Sequence, residues 1–187
     1  MLRDKNFLLF LVRFLAIFLF LYYGTLAWIG IAAPGDIYSP FVDKYLDYVS
    51  WIKYSLMYGS KGLLWILGID TYFAPDYIIR VVEGRGVRIA MDCVGYGVYS
   101  FWMAYILAGP TSIKQKWGWL VGGLFLLWLI NTIRISLFLL ATDRGWPMPL
   151  GIDHHDWFNI FAYTAIFTMM YFQQKKWSTP KASPPTL

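Results

Sequence analysis

The single cysteine of the chain, Cys93, is the residue with the most distinctive chemistry. It stands at the start of an apolar run that continues to Ala108. A cysteine in the first turn of a helix lies where the helix dipole favours the thiolate over the thiol. The neighbouring Asp92 opposes this effect because it disfavours a second negative charge. Cys93 is therefore predicted to be either a nucleophile or a small side chain that fills an apolar core.

Arg134 and the adjacent His154 and His155 are ionisable residues within or next to later apolar segments. An ionisable group inside a membrane segment is costly and often marks a functional site. A histidine can hold a thiolate as an ion pair and protonate a leaving amine. An arginine stays charged when buried and can stabilise the negative oxygen of a tetrahedral intermediate. Asn131, three residues before Arg134 and on the same helix face, could orient the guanidinium or add a donor.

These residues also have purely structural interpretations. Arg134 could pair with Asp143 or Asp153, or extend to the lipid headgroups. Asp153 could instead cap a helix that begins at the histidine pair. Adjacent helical residues point about 100° apart, so only one of His154 and His155 is expected to face the other candidates.

The composition indicates the class of protein that must position these groups. Of 187 residues, 58% are hydrophobic and 14% are charged, and a soluble domain of this length cannot bury so much apolar surface. The net charge is +5, but the basic residues are scattered or flank apolar runs, which argues against nucleic-acid binding. One cysteine excludes an internal disulfide. We therefore expect an integral membrane protein that lies in the lipid bilayer.

Four apolar segments predict an all-α membrane protein built as a four-span transmembrane helix bundle. The predicted spans are residues 7–31, 91–108, 117–140 and about 154–172. Between the first two spans, residues 41–68 have the pattern of one or two amphipathic helices at the membrane surface. Residues 77–82 and 87–90 flank a glycine turn and predict a short β-hairpin. Residues 1–172 would form one membrane-embedded domain, and residues 173–187 a disordered cytoplasmic tail.

Charge placement predicts the orientation in the cell membrane. With a cytoplasmic N-terminus, four spans place three basic clusters on the cytoplasmic side, as the positive-inside rule requires. Every acidic residue except Asp4 then lies outside. Both termini are predicted to be cytoplasmic, and Cys93, Arg134 and the histidine pair share the outer face. The three clusters are Arg3 with Lys5, Lys114 with Lys116, and Lys175 with Lys176 and Lys181.

At these residues the sequence resembles the exosortase and archaeosortase family of membrane-embedded cysteine enzymes. The family has a cysteine at the start of a span, an Asn-x-x-Arg motif late in the next span, and a histidine that opens the one after. Here these stand as Cys93-Val94-Gly95, Asn131-Thr132-Ile133-Arg134 and His155-Asp156-Trp157-Phe158-Asn159. The likeness covers roughly residues 56–172, and Val94 replaces the family's usual small hydroxyl residue.

The resemblance implies a cysteine protease or transpeptidase with an extracytoplasmic active site. Cys93, Arg134 and His155 would be catalytic, and Asn131 and His154 would support them. Its substrates would be secreted proteins with a C-terminal recognition motif, a transmembrane helix and a basic tail. The enzyme would hold the cleaved substrate as a thioester on Cys93 and pass it to an amine or to water, without a metal or organic cofactor.

Two other interpretations remain open from the sequence. In the first, the chain is a non-enzymatic four-span assembly or transport protein, Cys93 is a core residue and Arg134 pairs with an acid. In the second, residues 153–156 bind a metal, although adjacent histidines rarely bind one ion.

Overall fold

The computed structural model describes residues 5–33, 35, 37–146, 151 and 154–178, but not the side chains at positions 92, 154, 155, 158 and 176–178. This part of the chain is mostly helical and contains one small three-stranded sheet. In chain order the elements are α1 (Lys5–Ala32), α2 (Pro40–Leu46), α3 (Tyr48–Ile66), β1 (Thr71–Ala74), β2 (Ile78–Val81), β3 (Gly86–Arg88), a 3-10 turn (Met91–Val94), α4 (Tyr96–Ala108), α5 (Ile113–Arg144) and α6 (His154–Ser178).

Helices α1 and α5 are long and apolar enough to cross a membrane. They contain 28 and 32 residues, and at about 1.5 Å per residue both exceed the roughly 30 Å of a hydrocarbon core. Helix α4 has only 13 residues, because a 3-10 turn occupies the beginning of the predicted segment 91–108. Segment 41–68, predicted to hold one or two helices, forms α2 and α3.

One group of helices packs through aromatic and aliphatic side chains. Helix α4 contacts α1, α5 and α6, and α5 also contacts α6. The ring of Phe14 lies edge-on to that of Phe101, with centroids 5.2 Å apart. We call the buried residues of this group the bundle core: Val98, Trp102, Tyr105, Ile106, Leu127, Ala162, Ile166 and Met169.

A close approach of α4 to α5 depends on Gly123. A Cβ at this position would lie 2.0 Å from Nε1 of Trp102, so the position has no room for a larger side chain unless Trp102 moves. The indole N–H of Trp102 donates to the carbonyl of Trp119 at 3.2 Å. The indole ring is fully buried, and this bond satisfies its polar atom.

A second cluster, the cap core, lies between α3, the sheet and the last part of α5. Its buried members are Leu56, Met57, Leu64, Ile79, Val87, Ile89, Cys93, Ile135, Leu139 and Leu140. The inner face of α3 carries Val49, Lys53, Leu56, Met57, Ser60 and Leu64, at the spacing expected of one helix face. Helix α5 contributes to both cores and connects them.

The predicted hairpin is confirmed as β2 and β3, which pair antiparallel with Ile78 opposite Arg88. Strand β1 was not predicted, because the turn that joins it to β2 places Asp76 and Tyr77, and not glycine, at positive φ and so carries no glycine signal. It pairs antiparallel with β2 on the side away from β3. The turn after β2 is attached to α5, because the Asp143 carboxylate accepts the backbone N–H of Arg85 at 2.8 Å.

The predicted start of the tail at residue 173 was wrong, because α6 continues to Ser178. Gln173 is fully buried against the rest of the fold. Glutamine and lysine are good helix formers, so the polar composition of this segment does not end the helix. Residues 179–187 lie outside the described part of the chain.

Candidate active site around Cys93

Cys93 lies in the 3-10 turn and not in the first turn of α4. Gly95 separates the two elements, and its φ of 77° is a left-handed conformation that glycine adopts without strain. The expectation that the first turn of a helix would hold Cys93 was therefore wrong. The N–H of Cys93 donates to the Ala90 carbonyl at 3.1 Å. The residue is 8% exposed and belongs to the cap core.

Asn131 attaches the Cys93 turn to α5. Its side-chain Nδ2 donates to the carbonyl oxygens of Cys93 and Val94 at 2.8 and 3.2 Å. Asn131 is 1% exposed, and hydrogen bonds in such a buried setting are costly to lose. The sequence indicated that Asn131 would orient Arg134 or donate to the site. Its described bonds show that it fixes the backbone on which the thiol is carried.

Arg134, one turn later on α5, reaches the same carbonyl. Its Nη2 donates to the Cys93 oxygen at 3.4 Å, and the residue is partly buried. Asp143, a partner considered from the sequence, lies more than two turns further along α5 and accepts from the hairpin turn. Asp153 lies outside the described residues. Two of the predicted site residues, Asn131 and Arg134, are thus brought to Cys93 by one helix face.

The histidine pair opens α6, as the sequence predicted for the fourth helical segment. Helix α6 packs against α5, the helix that carries Asn131 and Arg134. The side chains of His154 and His155 are outside the described part of the structure. Their assignment to the site stays a prediction.

Tyr99 is a neighbour that sequence reasoning missed. It lies on α4, one turn after Gly95, and its buried hydroxyl lies near Asn131 and Arg134 without a hydrogen bond to either. A tyrosine within an apolar, aromatic-rich run carries no signal that distinguishes it from a core residue.

Lys53 is a second missed residue, and it is unusual because it is only 5% exposed. Its Nζ lies 4.3 Å from the centroid of the Tyr77 ring, a cation–π arrangement. Burial lowers the pKa of Lys53, and the nearby Arg88 adds to this shift. The charges of Asp47 and Cys93 oppose it. Its position on the inner face of α3 is the signal that could have identified it, because lysine rarely occupies such a face.

The Cys93 turn combines a buried thiol with nearby cationic side chains. A buried sulfur lies on a turn whose carbonyl accepts a guanidinium N–H, and a second cation, Lys53, is buried on α3, which packs against this turn. Positive groups fixed in a poorly hydrated site stabilise a thiolate and an oxyanion more strongly than they would in water. Among the described residues, no three His, Cys, Asp or Glu side chains come together as a metal site.

Comparisons with protein-family models, with curated proteins and with solved structures return no match for this chain.

Proposed function

We propose that this protein is a membrane-embedded cysteine protease or transpeptidase of the exosortase type. It cleaves C-terminal sorting signals of secreted proteins just outside the membrane. The observation that supports this best is the meeting of Asn131 and Arg134 at the carbonyl of Cys93. The two short motifs lie some 40 residues apart in the sequence, and hydrogen bonds to the Cys93 carbonyl join them. Together they form the centre of the proposed site.

The proposed membrane arrangement has four spans, α1, α4, α5 and α6, with both termini in the cytoplasm. Lys114 and Arg134 lie 20 residues apart on α5, which is about 30 Å along a helix and the thickness of a hydrocarbon core. If Lys114 lies at the cytoplasmic boundary, Arg134 lies at the outer one. The cap core, with α3 and the sheet, then lies on the outer side, and Cys93 lies at its base.

The proposed reaction begins when the Cys93 thiolate attacks the scissile carbonyl carbon. A carbon–sulfur bond forms, and the carbonyl electron pair moves to oxygen, where the Arg134 guanidinium stabilises the negative charge. When the intermediate collapses, the carbon–nitrogen bond breaks and the imidazolium of His155 gives its proton to the leaving amine. The thioester left on Cys93 is then attacked by an acceptor amine or by water, while the neutral His155 takes the proton of the attacking group. The carbon–sulfur bond breaks, and the thiolate and the imidazolium are restored. His154 is the alternative proton donor.

The proposed substrates are secreted proteins that end in a recognition motif, a transmembrane helix and a basic tail. Such a helix would lie in the bilayer beside the four spans, and its basic tail would stay in the cytoplasm. The scissile bond would then be presented at the outer boundary, at the level proposed for Cys93. The reaction scheme uses only protein side chains.

Replacement of Cys93 by alanine tests the proposal. In the native host, C93A is expected to abolish processing, so that uncleaved membrane-anchored precursors accumulate while the variant reaches normal membrane levels. Mass spectrometry of membrane and secreted fractions would measure this. Thr168→Val is a matched control, because the Thr168 hydroxyl is exposed and donates only to the carbonyl of Thr164 in its own helix. In the wild type, a hydroxylamine-sensitive adduct on the Cys93 peptide would identify the thioester.

A non-enzymatic assembly or transport protein is the second candidate, and the deep burial of Cys93 in the cap core favours it. In that case Cys93 only fills space, and C93A keeps full function. Retained processing at normal membrane levels would therefore exclude the enzyme and select this alternative.

A further inference from the structure

We propose that Lys53 is a positioning residue whose ammonium group keeps the Cys93 sulfur in its thiolate form before substrate binds. The inference rests on the proposed function, because it assigns a role within the same site. It concerns a residue that neither the motifs nor the resemblance includes.

The position of Lys53 on α3 directs it into the cap core. It occupies the inner face with Val49 on one side and Leu56 and Met57 on the other, and Leu56 and Met57 share the cap core with Cys93. Helix α3 also packs directly against the 3-10 turn that carries the thiol. A lysine on this face is nearly removed from solvent, and its charge acts through a medium that screens it weakly.

Tyr77 fixes the location of the ammonium group. The ring lies below Nζ at 4.3 Å, and its hydroxyl shares a 2.7 Å hydrogen bond with Oγ of Ser50. Ser50 in turn donates to the Asp47 carboxylate through both its hydroxyl and its backbone N–H. The ring is therefore held at its hydroxyl end, and Nζ lies over a ring of fixed position.

The charges that face Lys53 come from several elements. Asp47 immediately precedes α3, the helix that carries Lys53. Arg88 is the last residue of β3, and Cys93 lies on the 3-10 turn. Both oxygens of the Asp47 carboxylate are engaged by Ser50. Arg134 adds a further positive charge at the same turn from α5.

A buried ammonium is expensive to keep, and an apolar side chain of similar size would often cost less. The free-energy cost of burial is offset if the ammonium stabilises a negative charge that forms nearby. The Cys93 thiolate is such a charge, and its attraction to Lys53 is one of the effects that favour the protonated lysine. Electrostatic attraction acts on both partners, so an ammonium held in this core favours a thiolate over a thiol. This leaves the histidine of the proposed site free to act as the proton donor.

The pH dependence of Cys93 alkylation tests this role directly. Because Cys93 is the only cysteine, iodoacetamide modification of the full-length protein in detergent or lipid nanodiscs reports on it alone. Lys53→Met is expected to slow alkylation about three- to tenfold at pH 7, with the ratio to wild type approaching one near pH 10, where a thiol ionises without help. Lys53→Arg keeps the charge and should retain most of the wild-type rate.

Lys61→Met is the matched control, because Lys61 lies on the same helix, over the Phe73 ring at 5.2 Å, but is exposed. It should leave the alkylation profile unchanged. If Lys53 had a purely structural role, K53M would change the rate of Cys93 alkylation by the same factor at every pH, and this result would overturn the inference. A K53M alkylation profile equal to that of the wild type would also overturn it. The alkylation assay needs no substrate, so its result does not depend on the result for C93A. If C93A abolishes processing but K53M is alkylated like the wild type, only the role of Lys53 is refuted.

Stability provides the check that K53M is folded. Burial lowers the pKa of Lys53 in the folded state, so the folded protein binds this proton less tightly than the unfolded chain does. The resulting cost to stability is present in full at neutral pH and is relieved as the pH rises toward 10.5, the ordinary value for lysine. K53M should therefore unfold no more easily than wild type at pH 7, so its alkylation can be measured on folded protein.

Discussion

The bundle core and the cap core are held together by different forces. In the bundle core, α1, α4, α5 and α6 meet mainly through rings and aliphatic side chains, with the bond from the Trp102 indole to the Trp119 carbonyl joining α4 to α5. The threonine hydroxyls of α6 donate within their own helix. In the cap core, directional hydrogen bonds join residues that are far apart in the sequence. Examples are the bonds from Asn131 to Cys93, from Ser60 to the Thr132 carbonyl, and from the Arg85 backbone to Asp143.

This difference explains why the candidate site residues lie at the cap core. Packing of apolar side chains depends on shape and tolerates substitutions that conserve volume. A buried polar group needs a partner at a defined angle, so it fixes backbone and side-chain positions more closely. Helix α5 passes through both regions, and its motif Asn131-x-x-Arg134 lies where one gives way to the other.

The largest effect is expected from Arg134→Gln in the cap. Removing a cation that stabilises a developing oxyanion typically costs about 10²- to 10³-fold in turnover. Arg134→Lys should rescue little of this, because an ammonium cannot reproduce the geometry of the guanidinium. Quantitative measurement of precursor cleavage at equal membrane levels checks both. Wild-type processing by Arg134→Gln would remove Arg134 from the site, and wild-type processing by Arg134→Lys would show that a positive charge suffices without the guanidinium geometry.

A smaller effect, on stability alone, is expected from Gly123→Ala in the bundle. The new Cβ would meet the Trp102 indole, and overpacking of this kind costs about 1–3 kcal/mol. Thermal unfolding in detergent should show a lower midpoint, while Cys93 in the folded fraction is alkylated at the wild-type rate. Gly122→Ala is the matched control, because a Cβ there meets nothing within 4 Å. Equal midpoints for the two variants would show that the bundle can adjust at Trp102.

The smallest effect is expected from Asp143→Ala at the edge of the cap. Its carboxylate accepts the Arg85 N–H, and a single hydrogen bond of this type contributes about 1 kcal/mol. Amide hydrogen exchange at Arg85 should therefore become about fivefold faster, with no change in the bundle helices. Asp143→Asn keeps an acceptor oxygen and should preserve the wild-type exchange rate. Unchanged exchange in D143A would mean that other contacts hold the turn.

Much of the helical framework could be predicted because its signals are local. The apolar runs gave the helices at 7–31, 117–140 and 154–172, and the glycine turn at residues 83–86 gave the β2–β3 hairpin. Strand β1 was missed because its turn to β2 lacks glycine, and the extension of α6 beyond residue 172 was missed because a polar composition does not by itself end a helix. The division between the 3-10 turn and α4 depends on a left-handed Gly95, and the apolar run continues across that position without interruption.

By itself the sequence determined the apolar framework, the hairpin and the residue types able to do chemistry, Cys93, Asn131 and Arg134, because periodicity and side-chain chemistry are properties of short segments. Only the tertiary structure decided that Asn131 and Arg134 converge on the Cys93 carbonyl and that Lys53 is buried over Tyr77. The physical reason is that a hydrogen bond to a backbone carbonyl has no sequence signature. Its acceptor is present at every residue, and folding alone selects which one a distant side chain will reach.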